Sequence, residues 1–343
     1  MNVTAAFAVT EQSQIAAPRR TVLWLADQLR FSEERAGQAA LIVSELATNL
    51  VKHAKQGEVL LRPLSLDSSE ADGIEIVAVD KGPGLQDVAQ SRTDGFSAAG
   101  TLGHGLGAAE RQADEFDLYT HATGTVIVAS IGRSQRRLTP PVGRVEVGAV
   151  HVSKTGEDVC GDGWAWTLRE GRLAILVVDG LGHGYPAHEA ARTALDVFRK
   201  SHENAPASVI ENIHLALRST RGAAAAMVAM DLERGIAAYA GLGNILASVV
   251  PDGAHRRNFI SHNGTAGHTA ARIQEFNYVV PQASLIVMAS DGLGTHWNLD
   301  AYPGLRRHSA TTVAATLYRD FSRRRDDVTV VVAKERRPVA EKL

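Results

Sequence analysis

An aspartate stands where an apolar run stops or starts four times in this sequence. IEIVAVD ends on Asp80, LAILVVDG delivers Asp179, SLIVMASDG delivers Asp291, and Asp326 with Asp327 precedes VTVVVA. Short apolar runs bounded by glycine read as buried strands. A carboxylate at the end of such a strand is held by a rigid sheet and aimed past its edge, so the chain must fold into sheets whose ends gather acidic groups. For any single Asp-Gly pair a plain turn after a strand is the commoner explanation. The repetition is what constrains the fold.

At 343 residues the chain is long for one domain. It is comfortable for two of about 130 to 190 residues, each large enough to bury a core. The sharpest change in composition is RSQRRLTPPVGR at 133–144, which is basic, carries paired prolines and has no apolar periodicity. The linker is placed there, between a domain at 1–132 and one at 145–334, with a tail at 335–343. Hydrophobic content of 45% and charged content of 22% are those of a globular chain, and a net charge of -2 offers no footprint for nucleic acid. No apolar run approaches the roughly 18 residues of a membrane span. The start MNVTAAFAVTEQ lacks the basic and apolar regions of a signal peptide, so a cytoplasmic protein without membrane contact is expected. The single cysteine, Cys160, has no partner for a disulfide and is expected as a small buried residue.

Upstream of the linker the pattern predicts a strand near 3–10, helices at 16–30 and 33–54, strands at 58–66 and 74–80, a helix at 105–114 and a strand at 125–131. That is a sheet covered by helices on one face, a two-layer α/β sandwich. Downstream, short apolar strand-like runs are interrupted by helical stretches near 185–218 and 309–323, predicting two stacked sheets flanked by helices.

The second predicted helix follows Ser32, a good N-cap, with Glu33 and Glu34 in its positive first turn. Ala39, Val43, Leu46, Ala47, Leu50 and Ala54 share one arc, while Glu45, Asn49 and His53 descend another at i, i+4, i+8. Leu41 and Ile42 lie among those polar positions, so the stripe is expected to line a pocket. Asp80 closes its strand into a turn loosened by Gly82 and Gly84, where it can read a ligand's donor. Gly103, Gly105 and Gly107 open a helix whose backbone amides and dipole can approach phosphate. SELATNLVKHA, DKGPG and GHGLG, in this order, resemble the GHKL ATPase superfamily across residues 1–132. Within it, ADEFDLYTHATGTVI is closest to the RsbT-like switch-protein serine kinases. The resemblance implies the two-layer GHKL (Bergerat) sandwich, with Glu45 as general base toward a target serine. Asn49 would hold Mg²⁺ with ATP, and Asp80 would contact the adenine amino group. Gly103, His104, Gly105, Leu106 and Gly107 would cradle phosphates, with Thr93 to Thr101 as a lid. His104 departs from the pattern; it either contacts phosphate or faces solvent.

The strand-end carboxylates downstream suit hard divalent ions such as Mg²⁺ or Mn²⁺. Neither HExxH nor paired CxxC occurs, which removes a zinc site. The ordered set GD, VVDGLGHG, AGLGN, ASDG and RDDVTVVV resembles the SpoIIE branch of metal-dependent protein phosphatases, most closely the RsbX-like members, across 145–334. That implies a four-layer αββα sandwich with two metal ions. Asp179 and the Gly180 carbonyl would bridge them, Asp291 and Asp326 would complete one shell, and Asp162 would support a ligand or its water. Asp327 is not chosen. His183 either donates a proton or supports the glycine turn.

Together these resemblances imply a bifunctional α/β protein, a serine/threonine kinase fused to a phosphoserine/phosphothreonine phosphatase, acting on STAS-domain antagonist or scaffold proteins in stressosome-type signalling. Two other roles remain open: an RsbW-like module that docks a sigma factor, and a nucleotide sensor that gates the phosphatase.

Overall fold

The computed structural model describes residues 4–54, 56–64, 71–85, 105–134, 145–201, 205–270 and 272–335. The expected lid at 93–101, Gly103, His104 and most of the expected linker lie outside the described residues. The chain gathers into two compact units, Met1–Pro141 with Leu299–Arg319, and Val142–Asn298 with Asp320–Leu343. Both are mixed α/β with antiparallel sheets.

In the first unit β1 (Ala5–Ala8), β2 (Gly57–Leu64), β3 (Gly73–Asp80), β4 (Glu115–His121) and β5 (Gly124–Gly132) form one sheet in the order β1-β2-β3-β5-β4. Helices α1 (Ala16–Gln28), α2 (Glu33–His53) and α3 (Gly105–Gln112) belong with it. The Ser32 hydroxyl accepts the Arg35 amide at the start of α2, and Glu33 and Glu34 occupy its first turn, so the cap read from sequence is made. The apolar arc of α2, from Ala39 through Val43, Leu46, Ala47 and Leu50, packs on Val59 and Leu61 of β2 and Ile74, Ile76 and Ala78 of β3. Ile42 is fully buried in this same core, and truncating it to alanine is expected to cost about 2 to 5 kcal/mol. Strand β4 has no counterpart among the predicted elements. Only Leu118 and Tyr119 of EFDLYTH are buried, so the segment lacks the apolar run that betrays a strand.

Alternation along the strands sends Glu58, Glu75 and Asp117 to the face opposite α2. That face was expected bare, yet Leu299–Arg319, read as part of the downstream domain, lies against it in the same unit. Thr311 donates to Glu75 at 2.9 Å, and the Tyr318 hydroxyl reaches Glu58 at 3.1 Å. Asp117 accepts from the Ser309 amide at 2.7 Å and the Thr312 hydroxyl at 2.6 Å, and pairs with His308 at 2.7 Å. Glu75 also pairs with Arg62. Buried carboxylates need such partners, and a segment rich in Thr, Ser, Tyr and His provides them. The helix Ala310–Phe321 is accordingly buried at Ala310 through Arg319.

The second unit begins with β6 (Val145–Val152), β7 (Asp162–Arg169), β8 (Arg172–Gly180), α4 (Tyr185–Lys200) and α5 (Pro206–Ala216). It continues through β9 (Ala223–Asp231), β10 (Ile236–Leu242), β11 (Leu246–Val250), β12 (Arg257–Asn258), β13 (Gly264–Thr265), β14 (Thr269–Ala270), β15 (Phe276–Val279), β16 (Leu285–Ala289) and β17 (Val328–Glu335). Two five-stranded sheets result, ordered β15-β10-β9-β8-β7 and β12-β11-β16-β17-β6. Strand β8 shows how they stack. Leu173, Ile175 and Val177 enter the core with Val249, Met288 and Val331 of the other sheet. Leu176 and Val178 point the other way, into Ala190, Ala194 and Phe198 of α4 and Ile210 of α5. The helix expected over the second sheet is Ala310–Phe321, most of which belongs to the first unit.

Candidate active sites, one in each unit

Glu45 and Asn49 stand one turn apart on α2, half-buried, and the first residue of α3 faces both. A Cβ on Gly105 would lie 2.9 Å from Oε2 of Glu45 and 3.3 Å from Oδ1 of Asn49. The start of this helix thus lies close against the two polar side chains and brings its N-terminus to them. Leu106 and Gly107 are buried behind it. The apolar wall expected from Leu41 and Ile42 is not found: Leu41 is 40% exposed and Ile42 turns into the core. Start of α3, rather than neighbours on α2, bounds the polar stripe, because the helical arc at Ile42 is shared with Ala39 and Leu46.

Asp80 ends β3 half-buried. Burial raises its pKa; hydrogen bonds from the Gly82 amide and from Thr125, with the charge of Arg319, oppose that rise without cancelling it. The Gly82 amide lies 2.6 Å from Oδ1. The turn after Asp80 is fastened to the β4–β5 hairpin. Gly84, at φ +76°, sits against the His121 carbonyl, Gly124, at φ +140°, sits against the Asp80 carbonyl, and the Leu85 amide donates to Thr120 at 2.8 Å. A side chain at either glycine would push the turn away. The donor set fits magnesium and a nucleotide: the Asn49 carbonyl and Glu45 carboxylate are hard oxygens, and the helix start offers amides to phosphate.

In the second unit, sheet register does the gathering. Asp162 and Asp179 are direct cross-strand partners on β7 and β8. Asp179 is pushed up to about 7 by burial and by the charges of Asp291 and Asp326, against an opposing hydrogen bond from the Asp291 amide. Asp162, 4% exposed, is also raised, first by burial and then by the charge of Asp179. Its Oδ2 accepts from Ser290 at 2.6 Å and Thr329 at 2.8 Å, and Thr329 in turn meets His151 at 2.9 Å. Asp291 accepts from the Asn244 side chain at 2.8 Å. Asp326 is exposed, whereas Asp327 is buried and spends its oxygens on the amides of Lys154 and Gly161, both at 2.8 Å. Gly180 donates its amide to the Gly161 carbonyl at 3.1 Å, in a gap too narrow for a side chain beside Ala187. His183 pairs with Glu157 on the surface of the loop. Cys160 is buried, and burial with the charges of Asp162 and Asp327 pushes its thiol up, which makes it unreactive.

Asn244, Ser290 and Thr329 escaped the sequence reading as individual residues, although Asn244 stands in the AGLGN string that it singled out. Among the described residues no three acidic, histidine or cysteine side chains close into a finished metal cage. The carboxylates form an open, like-charged cluster whose mutual repulsion a divalent cation would reverse. Its all-oxygen donors fit Mg²⁺ or Mn²⁺, which would keep water in part of the shell.

One unit thus sets Glu45 and Asn49 against the start of a helix, and the other gathers carboxylates at its strand ends. Residues 8–131 match the histidine kinase-like ATPase domain, and residues 169–336 match Stage II sporulation protein E (SpoIIE). Serine/threonine-protein kinase RsbT of Bacillus subtilis (strain 168) is 32% identical over 130 residues, covering 38% of this chain and 96% of the relative. Phosphoserine phosphatase RsbX of the same organism is 22% identical over 200 residues, covering 53% of this chain and 91% of the relative. A solved structure described as "The bacterial stressosome: a modular system that has been adapted to control secondary messenger signaling" is 28% identical, with TM-score 0.52, over 55% of this chain and 99% of that one. Through its N-terminal domain the chain belongs to the RsbT-like family of histidine kinase-like ATPases, and it carries an RsbX-like SpoIIE phosphatase domain after it. No helix among the described residues is long and apolar enough to cross a membrane.

Proposed function

We propose that this chain both phosphorylates and dephosphorylates serine or threonine on STAS-domain antagonist or scaffold proteins of a stressosome-type pathway. The observation that carries the reading is the pairing of Glu45 and Asn49 against Gly105 in a chain that also sets Asp179 among the charges of Asp291 and Asp326. In the kinase step Glu45 accepts the proton of the target hydroxyl, whose oxygen then attacks the γ-phosphorus of ATP as ADP departs. Asn49 offers an amide oxygen to Mg²⁺, Asp80 takes the adenine amino group, and the start of α3 steadies the phosphates. This division of labour suits phosphoryl transfer, which needs mostly positioning and charge neutralisation.

Divalent ions bound at the second site supply Lewis acidity and lower the pKa of water. Asp179, Asp291, Asp326 and the Gly180 carbonyl would hold them. Asn244 fixes one oxygen of Asp291, and Ser290 with Thr329 fixes Asp162 behind Asp179, so the carboxylates keep their aim when charged. The match to a serine/threonine kinase at one end and a phosphoserine phosphatase at the other supports the opposed pair of activities. Incubating the intact protein with a STAS-domain substrate, γ-labelled ATP and Mn²⁺ tests it. Label should enter the substrate and, once ATP is removed, leave as inorganic phosphate; a substrate that never gains label refutes the kinase half.

A further inference from the structure

We infer that Arg221 binds the phosphate group of the substrate at the phosphatase site, a role that rests on the phosphatase reading above. Strands β8 and β9 pair as far as Gly180 with Ala223. The next step of that register is kept by the Leu181 amide, which donates to the Gly222 carbonyl at 3.0 Å. One step further, Arg221 falls opposite Gly182 in the DGLGHG loop, two residues beyond Gly180. The side chain uses that position: a guanidinium nitrogen lies 3.1 Å from where a Cβ on Gly182 would stand. Gly182 has φ +89°, a backbone form that leaves the loop without a side chain there and gives the guanidinium room to lie over it.

The turn that carries Arg221 is firmly built. The Thr220 hydroxyl accepts the Gly222 amide at 3.0 Å and donates to the Leu217 carbonyl at 2.8 Å, while Ala223 exchanges backbone bonds with Ala266. Gly222, at φ +79°, sits too close to the Ala266 carbonyl to tolerate another residue. Such a mounting fixes the backbone from which the exposed Arg221 side chain reaches the loop. Five aspartates stand in this unit's site, yet among the described residues Arg221 makes no hydrogen bond or ion pair, and Glu157 beside the loop is engaged by His183. An arginine fork held over the metal-site loop and committed to no carboxylate is suited to an anion from outside. The planar guanidinium matches two oxygens of a phosphate monoester. Arg221 would neutralise and orient the phosphoryl group while the carboxylates keep the ions.

The test uses the full chain with saturating Mn²⁺, comparing wild type, Arg221→Gln and Arg221→Lys. With p-nitrophenyl phosphate, Arg221→Gln should raise KM about tenfold or more, with a smaller change in kcat and an unchanged Mn²⁺ activation curve; Arg221→Lys should recover part of the loss. Inorganic phosphate, titrated calorimetrically with no turnover, should bind about tenfold more weakly to Arg221→Gln. Equal phosphate affinity in wild type and Arg221→Gln would overturn the assignment. A wild type that binds phosphate through Arg221 but hydrolyses nothing would instead refute the phosphatase reading and leave the anion site standing.

Discussion

In the ATPase unit the candidate side chains Glu45 and Asn49 come from one helix face, and the first residue of another helix packs against them. In the phosphatase unit the carboxylates sit at strand ends, and register alone makes neighbours of Asp162 and Asp179. The electrostatic outcome differs accordingly. Asp80 has an amide and a threonine to hold its carboxylate, while Asp179 faces other aspartates and is pushed up to about 7. The first arrangement is suited to reading a ligand's donors and positioning its phosphates. The second gathers like charges, whose repulsion is relieved by a proton or by a bound cation, so loss of metal should matter far more there.

The largest effect follows from that contrast. Asp179→Asn, or chelation of the wild type, should bring dephosphorylation to background, with chelation reversed by added Mn²⁺. Undiminished activity after exhaustive metal removal would erase the distinction between the two sites. Glu45→Ala should slow phosphoryl transfer by about 10² to 10⁴-fold while ATP still binds, because a general base acts on the acceptor hydroxyl. Nucleotide titration beside a transfer assay checks it, and equal loss of both would recast Glu45 as a binding residue.

The helix of the ATPase site was legible in sequence almost to its ends, because Ser32, Glu33 and Glu34 mark its start and the apolar arc recurs at helical spacing. Strand-end aspartates were legible for a similar reason, since glycine and apolar runs mark where strands stop. Partners across long separations were not. Ser290 reaches Asp162 over 128 residues and Thr312 reaches Asp117 over 195, and no local pattern announces such pairs. The same applies to Asp117 of β4, whose partners His308, Ser309 and Thr312 lie far along the chain, and to Arg221, which is visible only once the register of β8 and β9 is known. Ile42 misled because its polar neighbours in sequence are not its neighbours in space.

A smaller effect probes the polar face of the first unit. Burial by itself would raise Asp117, but hydrogen bonds from His308 and Thr312, the charge of His308 and the Ser309 amide outweigh it and hold the pKa at about 2. The folded value lies below the unfolded one, so the stabilisation is complete above about pH 4 and disappears as the pH falls toward 2. Asp117→Asn should therefore weaken protection of residues 299–319 in hydrogen exchange by about 1 to 2 kcal/mol at pH 7, and by little near pH 2. Equal protection at neutral pH would show that this segment does not depend on the pair.

The smallest expected effect joins the two halves. Arg319, whose charge bears on Asp80, lies only a few residues before Asp326 in the chain. A nonhydrolysable ATP analogue should change the phosphatase rate of the intact protein by about fivefold, at the low end of coupling between sites. Identical rates with and without the analogue at saturating metal would mean that the fusion merely keeps two independent enzymes together.

If one chain both adds and removes the same kind of phosphate, mass spectrometry of a STAS-domain protein should register both steps. With ATP and Mn²⁺ the phosphorylated fraction should rise to a steady level, higher with Asp179→Asn than with wild type. After ATP is removed it should fall with wild type and hold with Asp179→Asn. A phosphorylated fraction that stays at zero with both proteins, or that falls equally fast with both, would refute the paired activities.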